Sequence, residues 1–443
     1  MESREEGVRL WLERSGALPI NLSLMMINRS SQWFFPGTPD QATQDLHVRF
    51  IESLIQYSRR WKCLLLSHIP AHAMEPFNAL TRHDLPLLEE FRDPGMLRNS
   101  FGSLPMLHSD DHTPPFVTTV GSLPSLRNLR ITLRGRFNLS PQFQWGRLTV
   151  LRVTSVGLIE SLEFVSSLQR LSNLCPLLSE CTLSLQYPNL GAGTAEAPAS
   201  IESQEWQSLR KLNLTLTGGV MGGSSDARLV PCISRLFESI TVPALTRLSL
   251  FINCSHIEFG PNGIPSAHPS NVDQALHNLI VRSQCELTHL DLSIPSWDNP
   301  GVTLDALPSL VALNVDISLA QQPSPNMSNG TFLLRNIAQS LMSVTCPVLE
   351  QFSITSCVPE DTAVLVDLVN ARARGTPLKS LRAKFGVLSA AGIRTLTSAS
   401  ELAKSKGLGG KIEWEFSRQK PADYFDYPYP LGVGSADTEV LSA

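Results

Sequence analysis

One apolar spacing, leucine-x-x-leucine-x-leucine, returns from one end of this chain to the other, and a chain that repeats its own core pattern is restricted in what it can build. The clearest copy is Cys285-Glu286-Leu287-Thr288-His289-Leu290-Asp291-Leu292-Ser293-Ile294. Leu290, Leu292 and Ile294 alternate with Asp291 and Ser293, the two-residue period of a strand with one buried face; Leu287, three residues earlier, seals the turn leading in. The same phase starts at Leu88, Leu126, Leu148, Leu178, Leu209, Leu245, Leu310, Leu349 and Leu378, at intervals of about 22 to 42 residues.

Between the copies lie apolar stripes at three-and-four spacing, which predict helices: Phe50/Leu54/Tyr57, Leu162/Val165/Leu168/Leu171, Leu229/Ile233/Leu236/Phe237, Val272/Leu276/Leu279/Ile280, Leu334/Ile337/Ala338/Leu341 and Val364/Leu365/Leu368/Val369. A shared junction leads from helix to strand at Cys175-Pro176, Val242-Pro243, Leu307-Pro308 and Cys346-Pro347, where proline lacks an amide donor and stops the helix. Helix followed by strand, repeated, predicts an α/β fold: an irregular leucine-rich-repeat solenoid, curved, with parallel strands on one face and helices on the other. Residues 1–45 read as an N-terminal helix and strand followed by a loop (28–45), residues 46–416 as the solenoid and residues 417–443 as a disordered tail. In the N-terminal part a helix around Val8–Arg14 is ended by Gly16. Loops are expected at 93–120, 186–205, 217–226, 255–271, 295–303 and 320–330, and Lys411–Phe416 alternates like a last strand.

Hydrophobic content of 42% with 17% charged residues excludes a largely disordered chain. A formal net charge of −4 offers no general attraction to nucleic acid or anionic membrane, so neither is expected as a partner. The apolar run from Leu22 to Ile27 is too short and too late for a signal peptide or a spanning helix. Eight cysteines, none in a C-x-x-C pair and most beside apolar runs, read as small core residues in a reducing compartment, which predicts an intracellular protein, cytoplasmic or nuclear.

Motifs that carry chemistry are weak. His108-Ser109-Asp110-Asp111-His112 has the residue types of a metal site, but it sits in a proline-rich loop that would not hold ligands rigidly. His68 and His72 share the same spacing, with Pro70 between them interrupting any helix that would align them. Gly218-Gly219-Val220-Met221-Gly222-Gly223 lacks the lysine of a phosphate loop. With no G-x-S-x-G elbow and no cysteine–histidine pairing, the reading is of a non-catalytic protein without metal or cofactor. Asp423-Tyr424-Phe425-Asp426-Tyr427-Pro428-Tyr429-Pro430 is either a docking peptide or a set of rings folded back on the last repeat.

Val8-Arg9-Leu10-Trp11-Leu12-Glu13-Arg14-Ser15-Gly16-Ala17-Leu18-Pro19, the Arg59-Arg60-Trp61 triplet, the C-P-x-L junctions and the L-T-H-L-D-L strand together resemble the leucine-rich region of fungal F-box proteins over residues 8 to 390. No L-P-x-E-[IL]-L-x-x-I-like helix precedes Val8, so the F-box itself is missing from the resemblance. The resemblance therefore implies the substrate-recognition region of a ubiquitin-ligase receptor, which engages the ligase adaptor and cullin only if an F-box is supplied. The alternative is a free-standing leucine-rich-repeat interaction protein with no ligase link.

Either way the expected partner is a protein, and the expected site is the outward row of the strands. Arg130/Thr132, Arg152/Thr154, Thr182/Ser184, Asn213/Thr215, Ser249/Phe251, Asp291/Ser293, Asn314/Asp316, Ser353/Thr355 and Arg382/Lys384 should line the concave surface. They give a basic start at Arg130 and Arg152, a neutral middle with one aromatic at Phe251, an acidic patch at Asp291 and Asp316, and a basic end at Arg382 and Lys384. The competing reading is a solvated strand face, because Ser and Thr are good strand formers there.

Overall fold

The structure is a computed structural model. It describes residues 2–26, 40–67, 69–93, 115–134, 143–156, 170–186, 204–217, 226–253, 271–294, 297, 299–317, 329–343, 345–357, 361–372, 378–387, 393–394, 396–398, 401, 411–417 and 438–442. The chain divides into two compact units, Met1–Pro188 and Asn189–Ala443.

In the first unit, helices α1 (Glu2–Arg14), α2 (Gln41–Ile55), α3 (Ala71–Asn78) and α4 (Pro115–Gly121) alternate with strands β1 (Ile20–Met25), β2 (Trp61–Ser67), β3 (Glu90–Arg92) and β4 (Asn128–Arg134). Strands β5 (Val150–Val156) and β6 (Glu180–Gln186) follow. Each strand from β1 to β6 lies parallel beside the next in sequence.

In the second unit, β7 (Gln204–Glu205) pairs with β9 (Ile240–Thr241) as a short separate ladder. The main sheet runs parallel through β8 (Lys211–Thr217), β10 (Arg247–Asn253), β11 (His289–Ser293), β12 (Ala312–Asp316), β13 (Gln351–Cys357), β14 (Ser380–Val387) and β15 (Lys411–Ser417). Helices α5 (Asp226–Ser239), α6 (Asn271–Ser283), α7 (Pro300–Asp305), α8 (Asn329–Met342) and α9 (Asp361–Arg372) intervene, each packed on the next. Both units are thus α/β, built on parallel strands with helices in the crossovers.

The hydrogen bonds explain why the leucine spacing takes this form. In Leu126-Arg127-Asn128-Leu129 the two middle amides both donate to the Glu89 carbonyl of the preceding copy, at 2.8 and 3.0 Å. Thr149 and Val150 do the same to Arg127, Ser179 and Glu180 to Thr149, Thr288 and His289 to Thr246, and Lys379 and Ser380 to Glu350. These copies therefore dock by the same two donors, which satisfies the backbone at the bend and fixes the register. Threonine or serine at the first of these positions adds its hydroxyl to the same carbonyl, as Thr288 does on Thr246 at 3.0 Å.

With that register the leucines fall in line. Leu212, Leu248, Leu290, Leu313, Phe352, Leu381 and Ile412 are partners across seven strands, and all are buried. Burying each such side chain contributes about 1.5–3 kcal/mol. The proline junction is a four-residue turn: Leu178 donates to Cys175, Leu245 to Val242, Leu310 to Leu307 and Leu349 to Cys346, at 3.1–3.2 Å. Proline takes the second position, where its fixed φ suits a turn and no donor is needed.

Several expected boundaries move. The loop expected at 28–45 gives way to α2 at Gln41, because Asp40 caps that helix by accepting from the Thr43 amide at 2.8 Å. Helix α4 begins inside the stretch 93–120, and α7 begins inside 295–303 with proline at its first turn. Both are too short to show a helical period. No boundary falls at residue 45, since β1 pairs with β2 in the same sheet. In the tail, β16 (Thr438–Ser442) runs antiparallel on β15, so the last parallel strand is covered at its outer edge. The N-terminal glycine performs as expected: Gly16 has φ +57° and follows the end of α1. The helix expected around Leu162–Leu168, the His108–His112 cluster, the Gly218–Gly223 run, His68 and the Asp423–Pro430 stretch lie outside the described residues.

Candidate strand-face site

Alternation within each strand sends one set of side chains to the core and leaves the other on the opposite face, and the shared register turns the second set into rows. In the first unit one row reads Leu65, Arg92, Arg130, Arg152, Thr182 across β2 to β6. The next row, two residues along, reads Thr132, Thr154, Ser184. The row before it carries Glu90, Asn128, Val150 and Glu180.

Arg130 and Arg152, the expected basic start, are thus brought side by side, and Arg92 joins them. The sequence reading missed Arg92 because β3 is only three residues long and adjoins the Asp93-Pro94-Gly95 stretch that reads as a loop in the sequence, although Leu88-Glu89-Glu90-Phe91 carries the right phase. Glu90 pairs with Arg92 and also accepts from the Asn128 side chain at 2.9 Å. Glu180 lies 3.8 Å from Arg152. Arg130, between them and half-buried, has no side-chain hydrogen bond or ion pair among the described residues.

In the second unit the rows read Asn213, Ser249, Asp291, Asn314, Ser353, Arg382, Glu413 and Thr215, Phe251, Ser293, Asp316, Thr355. Phe251 is 36% exposed, a large ring standing among small polar neighbours. Asp291 is held from both sides: the Ser249 hydroxyl donates to it at 2.7 Å and the Asn314 side-chain amide donates to its other oxygen. Asp316 is half-buried in the next row and also has a partner.

Two expectations about this face change. Ser293 is not outward-facing in the sense of being accessible; it is 5% exposed, because the shortest side chain of its row is shaded by Phe251 and Asp316 on the flanking strands. The basic end is largely neutralised: Arg382 pairs with Glu415 and lies 4.0 Å from Glu413, both from β15. The hydrogen bond and charge of Glu415, with Glu413 behind them, raise the Arg382 pKa above its ordinary value. Lys384 is exposed and in register with Glu415. The two glutamates were visible in Lys411–Phe416, but their partners lie some thirty residues earlier, and only the pairing register reveals them.

Elsewhere the reactive groups are turned inward. Burial pushes the Cys175 and Cys346 thiols up to about 12, and raises Cys181 and Cys357 as well. A thiol so placed is a core residue and a poor nucleophile. Cys63, Cys175, Cys181, Cys285, Cys346 and Cys357 are free. Among the described residues no group of three or more His, Cys, Asp or Glu side chains could hold a metal ion, and no helix is long and apolar enough to cross a membrane. His72, separated from His68 by Pro70, instead stacks on His47 of α2, with ring nitrogens 3.2 Å apart. Comparison with protein-family models and with curated protein sequences finds no match to the chain.

Proposed function

We propose that this protein is a non-catalytic binding scaffold whose repeats are an irregular leucine-rich-repeat solenoid and whose strand face holds another protein. The observation that carries the proposal is the register. The same positions of successive strands are aligned within each unit, giving rows of arginine and hydroxyl groups in the first and rows of hydroxyl, amide and carboxylate groups around the exposed Phe251 ring in the second. Such rows are suited to an extended partner, and an exposed aromatic among small polar groups is the residue type that anchors contacts. The resemblance of the opening segment and the C-P-x-L junctions to fungal F-box proteins supports a finer reading, the substrate-recognition region of a ubiquitin-ligase receptor. The free, buried cysteines support an intracellular location, cytoplasmic or nuclear.

Affinity purification of the full-length protein from its source cell tests the reading. Recovery of cullin and adaptor subunits together with a substrate protein is the expected result. Recovery of other proteins with those subunits absent in repeated trials leaves a free-standing scaffold. A hydrolytic or transfer activity that persists through purification and disappears with a point mutation would overturn the non-catalytic assignment.

A further inference from the structure

We propose that the row Arg92, Arg130, Arg152 in the first unit is a docking site for an extended, acidic segment of a partner protein, with Arg130 as its anchoring cation. This rests on reading the strand face as a binding surface, and it names the chemistry of the partner.

Neighbouring strands lie about 4.8 Å apart, so the three arginine backbones fall within about 10 Å along a single line. Like charges on directly neighbouring strands destabilise a sheet. The fold offsets only part of this: Glu90 serves Arg92, Glu180 serves Arg152, and the central Arg130 has no carboxylate of its own among the described residues. The next row supplies hydroxyls. The Thr132 hydroxyl is given to the Asp93 carbonyl at 3.2 Å and Thr154 stands beside it in register, so the row Thr132, Thr154, Ser184 is neutral and brings no carboxylate to Arg130.

The arrangement selects carboxylates carried along a chain. Among the described residues the Arg130 guanidinium is without a partner and its two neighbours are each already shared with a glutamate, so the surplus positive charge is modest and spread over a line. Alternate side chains of an extended peptide are about 7 Å apart, between the roughly 5 Å separating adjacent arginine backbones and the roughly 10 Å separating the outer two, a difference the long arginine side chains span. An Asp or Glu can accept two parallel hydrogen bonds from Arg130 while its neighbours take partial shares of Arg92 and Arg152. The second unit has no equivalent among its described residues, because Arg382 is paired with Glu415 and Glu413.

The test is fluorescence anisotropy of the full-length protein with a fluorescein-labelled peptide of alternating Asp and Gly, against the same peptide with Asn for Asp. Saturable binding of the Asp peptide only, weakened about tenfold or more by Arg130→Gln, abolished by Arg130→Glu and reduced by salt, is the expected result. Arg9→Gln, on helix α1 and outside the strand rows, should leave it unchanged. Should Arg130→Gln lower the thermal midpoint, the wild-type comparison still decides: equal binding of the Asp and Asn peptides overturns the proposal. Binding of a phosphoserine-containing peptide with none of the Asp peptide also overturns it, assigning the row to phosphate. A silent Asp peptide, alongside purified partners whose capture depends on Phe251, sinks this inference and leaves the scaffold standing; capture of no partner by any part of the strand face sinks the scaffold reading itself.

Discussion

Asp291 and Leu292 are adjacent in sequence and opposite in role. Leu292 is 3% exposed among the aligned leucines, and Leu292→Ala should cost about 2–5 kcal/mol in denaturant unfolding, with the spread set by how far the cavity collapses. From its position in the alternation alone Asp291 reads as a dispensable surface residue. Its bonds from Ser249 and Asn314 make it the centre of a three-strand polar ladder, so Asp291→Ala should cost about 1–2 kcal/mol, less than the leucine and more than a bare surface site. A second residue-scale effect comes from His72, whose pKa lies below the ordinary 6.5 because burial, and then the neighbouring His47, disfavour its charged form. Above about pH 6.5 both folded and unfolded chains hold it neutral and it contributes nothing to pH dependence. As pH falls through the unfolded value, the unfolded chain takes up the proton first, so the native state loses stability on acidification. The thermal midpoint should fall between pH 7.5 and 5.5 by less in His72→Gln than in the wild type; an identical fall would remove His72 from the account.

At the scale of elements, arginines near the ends of helices and turns join one helix-strand unit to the one before it. Arg60 donates to the Leu18 and Leu12 carbonyls at 3.0 Å and to the Ser15 hydroxyl at 2.6 Å, at the end of α1. Arg282, in the last turn of α6, reaches the Phe237 and Ile240 carbonyls where α5 finishes. Arg372, at the end of α9, donates to Thr345 at 2.8 Å and Cys346 at 3.4 Å just beyond α8. Each reaches two carbonyls at or just beyond the end of an earlier helix, and a guanidinium can serve two at once where an ammonium serves a point. Arg372 is 4% exposed, so Arg372→Met should cost about 2–4 kcal/mol by chemical denaturation, with Arg372→Lys recovering only part of it. These contacts mark the limit of what the sequence conveys. The leucines and the C-P-x-L turns were legible because their signal lies within six or seven residues and repeats. The arginine contacts, the Arg382–Glu415 pair and the His47–His72 stack join residues 25 to 48 apart and depend on register, which no local pattern encodes. Arg59-Arg60-Trp61 illustrates both sides: it was visible as a motif, but the job of Arg60 emerges only when α1 and β2 are brought together.

For the molecule as a whole, the decisive property is that, among the described residues, each parallel strand of the main sheet pairs inside its unit with the main-sheet strands next to it along the chain, β7 and β9 forming a short separate ladder. Stability is then close to a sum of intrinsic terms for each copy and interface terms between adjacent ones. A lesion in one copy weakens the two interfaces it shares and reaches further copies only through them. Leu292→Ala, in β11, should therefore produce a gradient in hydrogen exchange within the second unit. Amides of β11 should lose the most protection, those of β10 and β12 less, and those of β15, four strands away, least. The two donors that each copy places on the preceding carbonyl offer the sharpest local reading, because the Val311 and Ala312 amides both bond to Thr288 in the mutated copy. Their exchange should quicken with that of β11, while Lys379 and Ser380, bonded to Glu350, should stay closer to wild type. Uniform acceleration from β8 to β15 would mean that the unit unfolds as one cooperative body, and the strand face would then have to be treated as a single rigid surface in any account of how it takes a partner.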